Sequence, residues 1–414
     1  MSLVDNPFGM LSDNPLNIWD TEATRVRPSV DLISQVHIYD FDNTIFKTPL
    51  PNPSLFHGNS IVLLQSSNSL HQGGWWADPK FLISTGEGFE IESGRAWQGW
   101  WNENIVDLAR LSIADPNVLT IIMTGRKHHK FATCVSEMVN AKNLTVDGVI
   151  LRRGDAENTL AFKVQVMRDL LNHYTRVTDI TIYDDRPKQA HGFRQFLHDY
   201  TLTRRPNLIY DVILVFEETK YLSPVSERNL VASAIAAHND AVKKGLSHAS
   251  IANGRMTLRR SLFYTAYLID QQSTVTLLKK FIPAQIPEAK SIRYHADSIV
   301  ICRGACSKSL LANIGGYGHE VEWQVTHFGS HDNKVWAVKV RQVRNDIYVR
   351  TEITPPLIVL AVRRRLMATE AAQITKWTEL DNSEKFVIKT RVGEKALLKI
   401  EPEDKSWKNK KNKK

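Results

Sequence analysis

Two carboxylates stand one residue apart at the end of an apolar run near the start of the chain. The run is Val36-His37-Ile38-Tyr39, and Asp40, Asp42 and Thr44 follow it. Strand side chains alternate between the two faces of a sheet, so Asp40 and Asp42 would point the same way and converge on one substrate atom. Such a pair suits one acid as nucleophile or metal ligand and the other as proton donor. An Asp-x-Asp tripeptide of this kind also occurs by chance in hydrated loops at strand ends.

A second apolar run, 119–123, ends in Thr124-Gly125-Arg126. The Thr124 hydroxyl and the backbone N–H groups of such a strand end could hold a phosphate. Arg126 could contact the same phosphate, because a planar guanidinium pairs with phosphate through two hydrogen bonds.

Two further motifs follow in the chain. Lys163 begins a stretch with the apolar spacing of a helix, and a third apolar run ends in Asp184-Asp185-Arg186. Arg186 could contact phosphate or instead form an ion pair with the two acids. Three of the four motifs therefore lie at the ends of predicted parallel strands, where one sheet edge would bring them together.

This ordered set resembles the haloacid dehalogenase (HAD) superfamily of phosphotransferases at all four of its signature motifs. The resemblance implies a doubly wound, Rossmann-like parallel sheet whose strand ends form one site. It implies that Asp40 is the nucleophile that forms an aspartyl-phosphate, and that Asp42 is the general acid and base. Thr124 would bind the phosphoryl oxygens and Lys163 would neutralise their charge.

A magnesium ion is part of the same implication. The resemblance assigns Mg²⁺ to Asp184, Asp185, Asp40 and the backbone carbonyl of Asp42. Hard oxygen ligands of this kind are those that Mg²⁺ takes in proteins.

Shorter segments resemble particular families within the HAD superfamily. Residues 39–53, Gly74-Trp75-Trp76, Gly99-Trp100-Trp101-Asn102 and Thr124-Gly125-Arg126 are similar to the HAD domain of the fungal Swiss Army Knife RNA repair family. Asp184-Asp185-Arg186 and Thr124-Gly125-Arg126 are also similar to the phosphatase half of polynucleotide kinase-phosphatases. Both similarities imply a phosphatase that processes the ends of RNA or DNA.

Composition sets the broad class of the protein. The chain has 414 residues, 43% of them apolar, which is enough for two domains or more. Three cysteines are too few for a disulfide framework, and no apolar run approaches the roughly 20 residues that span a bilayer. Cys302 and Cys306 resemble half of a zinc site, but no second pair has matching spacing. We expect a soluble protein of the cytoplasm or nucleus without a membrane partner.

The domain plan follows from changes in composition along the chain. We expect a polar N-terminal arm over residues 1–30, a HAD domain over 31–220 with an inserted cap within 47–105, a helical linker over 221–290, a smaller mixed α/β or α+β domain over 291–402, and a disordered Lys-rich tail over 403–414. The tail carries six lysines of a chain whose net charge is +9. It could bind RNA phosphates, act as a nuclear address or simply remain solvated.

The predicted cap contains half of the ten tryptophans of the chain, Trp75, Trp76, Trp97, Trp100 and Trp101. Such a cluster forms the core of a small cap or, where a ring is exposed, stacks on bases at a strand end. We favour the core, and one exposed Trp is compatible with either interpretation.

The C-terminal part alternates short apolar runs with polar breaks, which predicts mixed or mainly antiparallel structure. Residues 354–362 distantly resemble the strand of tRNA-ligase-type and cyclic phosphodiesterase domains that carries a His-x-Thr motif, but Leu357 and Val359 stand where His and Thr are needed. A second phosphodiesterase site is therefore not expected. This domain either binds a partner or RNA or has an inert structural role; the candidate contacts are Arg341, Arg344, Arg350, Arg363, Arg364 and Arg365.

The sequence thus predicts a Mg²⁺-dependent phosphomonoesterase that removes terminal phosphates from RNA or DNA. The same chemistry on a small metabolite or a phosphoprotein is an alternative. A noncatalytic RNA-binding or scaffold protein is another alternative. Folding alone, however, does not require the six polar motif residues, which are Asp40, Asp42, Thr124, Lys163, Asp184 and Asp185.

Overall fold

The structure is a computed structural model that describes residues 14–22, 24–83, 85, 88–154, 158–216, 219–246, 254–281, 292–344, 351–363 and 366–403. The chain divides into two compact units at positions inside two long strands. The first unit includes the residues up to Leu258 and those from Ile400, and the second unit is Arg259–Lys399.

A five-stranded parallel sheet forms the centre of the first unit. Its strands are β1 (Gln35–Asp40), β2 (Val118–Lys127), β3 (Gly148–Arg152), β4 (Asp179–Asp184) and β5 (Ile209–Leu214). The spatial order is β3-β2-β1-β4-β5, and every neighbouring pair is parallel. The chain therefore runs outward from β1 in both directions, which confirms the doubly wound parallel sheet predicted from the sequence.

Helices cover both faces of this sheet. The helices of the described first unit are α1 (Leu16–Trp19), α2 (Gly58–Gln65), α3 (Lys80–Ile83), α4 (Phe89–Gly94), α5 (Glu103–Ala114), α6 (His128–Ala141), α7 (Thr159–His173), α8 (Pro187–Thr203) and α9 (Pro224–Lys243). Of these, α1, α5, α6, α7 and α8 pack on the strands. The side chains of β1 alternate between the two helical layers. Val36 and Ile38 belong to the core that includes the apolar side of α7 and α8, whereas Tyr39 on the other face bonds Ser112 of α5 at 2.8 Å. Apolar side chains on both faces are typical of a sheet buried between two helical layers.

The segment before β1 packs onto the sheet along residues 14–22. Leu16 is fully buried, and the Asp20 carboxylate accepts a hydrogen bond from the backbone N–H of Val149 at 2.8 Å. Arg25 and Arg27 pair with the same carboxylate at 3.0 and 2.7 Å. This part of the polar arm is thus ordered against β3, while residues 1–13 lie outside the described part of the chain.

The insertion between β1 and β2 contains α2, α3 and α4 before α5 leads into β2. Trp75, Trp97, Trp100 and Trp101 are buried, and the indole N–H groups of Trp75, Trp97 and Trp101 donate to backbone carbonyls at 2.7–3.0 Å. These rings form the core of the insertion, as favoured from the sequence. Trp76 differs, because it is only half-buried.

A twisted, mainly antiparallel sheet dominates the second unit. Its strands are β6 (Met256–Ile269), β7 (Ile292–Tyr294), β8 (Ser298–Arg303), β9 (Glu320–His331), β10 (Val335–Gln342), β11 (Leu357–Arg363), β12 (Trp377–Glu379) and β13 (Val387–Pro402). The order is β7-β11-β10-β9-β13-β6-β8, with β12 paired to β9. Two helices, α10 (Gln271–Phe281) and α11 (Lys308–Asn313), and a 3-10 helix, Ala368–Gln373, complete the unit. The mixed α/β prediction for the C-terminal region is confirmed.

The predicted helical linker over residues 221–290 is wrong in its middle part, because β6 begins at Met256 and continues to Ile269. β-Branched and aromatic residues in this segment favour a strand, and pairing of Ala266 with Val300 on β8 holds it extended. Residues 345–350, which include Arg350, lie outside the described chain, as do Arg364, Arg365 and the tail from 404. No helix among the described residues is both long and apolar enough to cross a bilayer.

Candidate active site

The polar residues of all four motifs converge at the carboxyl edge of the parallel sheet. Asp40 and Asp184 are the last residues of β1 and β4, which are neighbours in the sheet. Lys163 lies in the first turns of α7, which packs on β2. Its ammonium group donates to Asp40 Oδ1 at 2.5 Å and to Asp184 Oδ2 at 2.9 Å. One buried cation therefore bridges the two strand ends.

This cluster is almost completely inaccessible to solvent, with Lys163, Asp40 and Asp184 at 1%, 2% and 0% exposure. Burial would lower the pKa of Lys163, but the two carboxylates raise it, so the ammonium stays charged. Burial raises the pKa of Asp40 to about 7, and the Lys163 charge opposes that rise. The lysine thus favours the ionised form of Asp40, which is the form that a nucleophile needs.

A second network surrounds Asp42. The carboxylate accepts hydrogen bonds from the hydroxyls of Thr48 at 2.7 Å and Thr124 at 3.0 Å. Arg126 donates to it through Nε at 3.0 Å and Nη2 at 2.8 Å. Burial alone would raise the pKa of Asp42, but the Arg126 guanidinium and the two hydroxyls hold it below its ordinary value. Asp42 is therefore ionised in this arrangement.

The position of Arg126 differs from the one expected from the sequence. We expected its guanidinium to be directed at substrate phosphate, whereas two of its nitrogens bind Asp42. Arg126 binds the Asp42 carboxylate because both side chains are largely removed from solvent, and each charge is stabilised by the other. The third nitrogen, Nη1, is buried without a hydrogen-bond partner, and the guanidinium lies over the rings of Phe131 and Trp76 at 4.7 and 5.5 Å. Arg126 thus retains one unused donor beside the cavity.

Gly125 and Arg186 lie on either side of this centre. A Cβ at Gly125 would lie 2.3 Å from the Thr159 side chain, so this close approach of β2 and α7 requires glycine. The backbone N–H of Arg186 donates to Asp184 Oδ1 at 2.9 Å, and its guanidinium lies 3.8 Å from Asp185. The sequence left two roles open for Arg186, contact with phosphate or an ion pair with the two acids. The structure shows the ion-pair role in part, since Arg186 contacts both acids while its side chain stays half-exposed.

The acids fit a metal ion of the kind that the HAD resemblance implies. One carboxylate oxygen from each of Asp40, Asp184 and Asp185 lies within 4.8 Å of the other two. Asp40 Oδ2 and Asp185 Oδ1 are buried and accept no hydrogen bond. Burial also raises the pKa of Asp185 to about 6. Buried carboxylate oxygens without a donor are suited to a cation, and these three residues would hold Mg²⁺.

A cavity of about 380 Å³ opens in front of these residues. It is lined by Asp42, Asn43, Ser67, Trp76, Ala77, Gly125, Arg126, Lys127, Arg152, Thr159, Asp185 and Arg186. Sequence reasoning missed the parts played by Thr48 and Arg152. Thr48 lies in the segment 39–53 but has no residue type that marks it for this contact, and Arg152 lies in none of the four motifs.

Part of the chain is similar to a known family. Residues 48–240 match the model of HAD domain family 1 in Swiss Army Knife RNA repair proteins. The match includes Thr124, Lys163, Asp184 and Asp185, and it begins after Asp40 and Asp42.

A curated relative is the uncharacterized protein YMR265C of Saccharomyces cerevisiae, which is 32% identical over 247 residues. The alignment covers 57% of this chain and 50% of the yeast protein, so the chain spans about half the length of that relative.

Solved structures similar to the chain include the HAD domain of the effector protein Lem4 from Legionella pneumophila. Its inactive mutant aligns at 12% identity with a TM-score of 0.27 and covers 52% of this chain and 100% of that one. The unmutated domain aligns at the same identity and TM-score and covers 49% and 95%. The match of residues 48–240 confirms the resemblance stated from the sequence: this part of the chain is similar to the HAD domains of Swiss Army Knife RNA repair proteins.

Proposed function

We propose that the protein is a Mg²⁺-dependent phosphomonoesterase that forms an aspartyl-phosphate on Asp40. The observation that supports this most strongly is the buried cluster in which Lys163 bridges Asp40 and Asp184 at 2.5 and 2.9 Å beside Asp185. Burying two acids and one lysine carries a large desolvation cost that offsets much of their mutual attraction. The cluster is therefore better explained by chemistry than by stability, which argues against a noncatalytic scaffold.

In the first step, an Asp40 carboxylate oxygen forms a bond to phosphorus while the bond from phosphorus to the leaving alcohol oxygen breaks. Lys163 lies close enough to Asp40 to neutralise charge on the phosphoryl oxygens as they approach. The leaving oxygen takes its proton from Asp42. When bound by the three acids, Mg²⁺ supplies positive charge that offsets the negative charge of the phosphoryl group.

Asp42 must hold a proton before it can donate one, and Arg126 opposes this by stabilising the ionised carboxylate. Arrival of a phosphate offers the guanidinium a second anion, toward which Nη1 is still unused. Sharing Arg126 with the phosphate weakens its hold on Asp42 and lets the acid take up a proton.

In the second step, a water oxygen attacks phosphorus, its proton passes to Asp42, and the bond from phosphorus to Asp40 breaks. Inorganic phosphate leaves, Asp40 is again a free carboxylate, and Asp42 holds the proton that the first step requires. The ionised state that Arg126 stabilises in Asp42 is the state that this step requires.

We propose the phosphorylated end of an RNA or DNA strand as substrate. The family name points to RNA repair, and the cavity wall carries four cations, Arg126, Lys127, Arg152 and Arg186. Nucleic-acid affinity depends mainly on such contacts with phosphates. This substrate and the free Cys134, Cys302 and Cys306 fit a cytoplasmic or nuclear location.

Phosphate release measured with and without Mg²⁺ tests the proposal. The substrates are an aryl phosphate and single-stranded RNA and DNA oligonucleotides with a 3′- or a 5′-phosphate. We expect release from one oligonucleotide end that stops when EDTA removes the metal. Release from the aryl phosphate alone would support the phosphatase activity but exclude nucleic acid ends as substrates. Release that continues in EDTA would exclude a role for the metal ion in the reaction.

A further inference from the structure

The half-buried Trp76 occupies a special position in the wall of the site. It lines the same cavity as Asp42, Asp185 and Arg126, whereas its neighbour Trp75 is buried in the core of the insertion. The Trp75 backbone N–H donates to Leu64 O at 2.7 Å, and its indole N–H donates to Pro49 O at 2.7 Å. One tryptophan of the pair therefore anchors the loop and the other lies at the cavity.

The backbone before this pair is fixed in one conformation. Gly73 and Gly74 have φ values of +91° and +68°, which side-chain-bearing residues rarely adopt. A Cβ at Gly74 would come within 2.3 Å of Leu64 O, so the loop packs directly against α2. The position of Trp76 is thus set by the fold before any ligand arrives, which reduces the ordering cost of binding.

Nothing in the described chain uses the polar group of this ring. The indole N–H groups of Trp75, Trp97 and Trp101 all have carbonyl partners, but that of Trp76 donates none of the hydrogen bonds described. Arg126 lies over the ring at 5.5 Å and covers only part of it, since the side chain stays half-exposed. An aromatic surface beside a phosphate site remains open to a ligand.

The size of the cavity indicates what lies on that surface. About 380 Å³ is within the range of roughly 300–1,000 Å³ that is typical of small-molecule sites and exceeds what a phosphate group fills. The cavity combines acids at which a phosphate would react, cations at Lys127 and Arg152, and an indole ring. These features match the phosphate, the charged backbone and the base of a nucleotide.

We propose that Trp76 stacks on the terminal base of a single-stranded end and so selects phosphorylated nucleotides over other phosphate esters. The inference rests on the proposed phosphatase function and assigns the residue that reads its substrate. A paired terminal base keeps its own stacking partner and would have to be displaced, so unpaired ends are preferred.

The test compares Trp76→Leu and Trp76→Phe with the wild type on three substrates. These are an oligonucleotide with a phosphorylated terminal nucleotide, the same strand with an abasic terminal nucleotide, and glycerol phosphate. Trp76→Leu should lower kcat/KM for the first by about tenfold or more and leave the other two unchanged, and Trp76→Phe should restore most of the loss. Phe216→Leu, which alters an exposed aromatic residue outside the cavity, is the matched control.

Binding of the same two strands, measured by fluorescence polarisation with Asp40→Asn protein, separates the two proposals because it needs no turnover. Tighter binding of the strand that bears its base, lost in the Asp40→Asn/Trp76→Leu protein, supports the stacking role even if no phosphate is released. Equal binding of both strands, or equal losses on all three substrates, would overturn it. A larger Trp76 dependence for a phosphotyrosine peptide than for the oligonucleotide would assign the ring to a protein substrate instead.

Discussion

The two units each contain a cavity, and the acids at the two cavities differ in their burial and in their hydrogen-bond partners. The second unit has a cavity of about 170 Å³, lined by Tyr264, His295, Asp297, Ser298, Ile299, Val300, Thr351, Glu352, Ile353, Leu357, Val359, Ala368 and Thr369. Both of its acids have cationic partners, since Asp297 pairs with Lys395 at 3.0 Å and Glu352 pairs with Arg303 at 2.7 Å. In the first unit, by contrast, Asp40 and Asp185 each keep a buried oxygen without a donor.

The difference separates a site arranged for a ligand from a cavity left by packing. Leu357 and Val359, which stand where a His-x-Thr motif would be needed, contribute apolar side chains to the cavity of the second unit. In the first unit, the two buried oxygens of Asp40 and Asp185 that accept no hydrogen bond are places where a cation or substrate can supply the missing partner. We therefore expect substitutions in the first site to change chemistry, in some cases together with stability, and substitutions in the second cavity to change stability alone.

The largest expected effect is that of Asp40→Asn. Removal of the nucleophile should lower kcat for phosphate release by at least about a thousandfold while the chain still folds. Lys163 keeps its bond to Asp184 in this variant, so the circular dichroism spectrum should be unchanged. Asp31→Asn, at an exposed carboxylate of the same unit, is the control. Turnover at the wild-type rate would remove Asp40 from the mechanism.

Lys163→Met breaks the first site in a different way. It leaves Asp40 and Asp184 as buried acids without their cation, which should cost about 3–5 kcal/mol of unfolding free energy in a urea titration. Lys188→Met at an exposed position should have little effect. Adding Asp40→Asn and Asp184→Asn to Lys163→Met should recover part of the loss. A loss as small as that of the control would show that the cluster is solvated.

Much of this first site follows from sequence because its residues belong to motifs. Asp40, Thr124 and Asp184 each end an apolar run, and strand ends of a parallel sheet meet at one edge, so their convergence was predictable. The pairing of Arg126 with Asp42 was not, because 84 positions separate the two residues and only the fold decides which anion the guanidinium meets.

Errors in the second unit have a different origin. Glu320–His331 alternates Val321, Trp323 and Val325 with polar residues, which is the pattern of a half-buried strand, but β9 was not among the elements predicted. The strand in the predicted linker was missed because Arg259 and Arg260 made its start resemble a polar hinge. Short antiparallel strands carry a weaker local signal than motif-bearing strands, and their pairing depends on distant partners.

A third prediction concerns a buried acid of the first unit outside the active site. Glu227 in α9 accepts a hydrogen bond from the backbone N–H of Asn52 at 2.8 Å, while its other oxygen has no partner. Burial raises the pKa of Glu227 from 4.5 to about 7. The folded chain therefore binds more protons than the unfolded chain, and the stability contributed by the protonated form is lost as the pH rises from about 4.5 through 7.

Glu227→Gln keeps an acceptor for Asn52 and cannot ionise. At pH 8 it should be more stable than the wild type by up to about 3 kcal/mol, and at pH 4.5 the two should be nearly equal. Thermal unfolding across this pH range measures the difference. A constant difference at all pH values would mean that Glu227 does not titrate in the folded chain.

The smallest expected effect belongs to the cavity of the second unit. Leu357→Ala removes a side chain that is 7% exposed and should cost about 2 kcal/mol of stability, at the low end for core leucines because the cavity is already open beside it. The kinetic constants for phosphate release should be unchanged. A fall in kcat without a loss of folded protein would show that the second unit takes part in the chemistry.

Trapping the covalent intermediate tests the central claim most directly. The protein is mixed with Mg²⁺ and an oligonucleotide whose terminal phosphate carries ³²P, quenched in acid within the first turnover and digested for peptide mapping. We predict label on the peptide that contains Asp40, and no labelled peptide from the Asp40→Asn variant. Rapid turnover with no labelled peptide, or with label on a different residue, would contradict the aspartyl-phosphate mechanism.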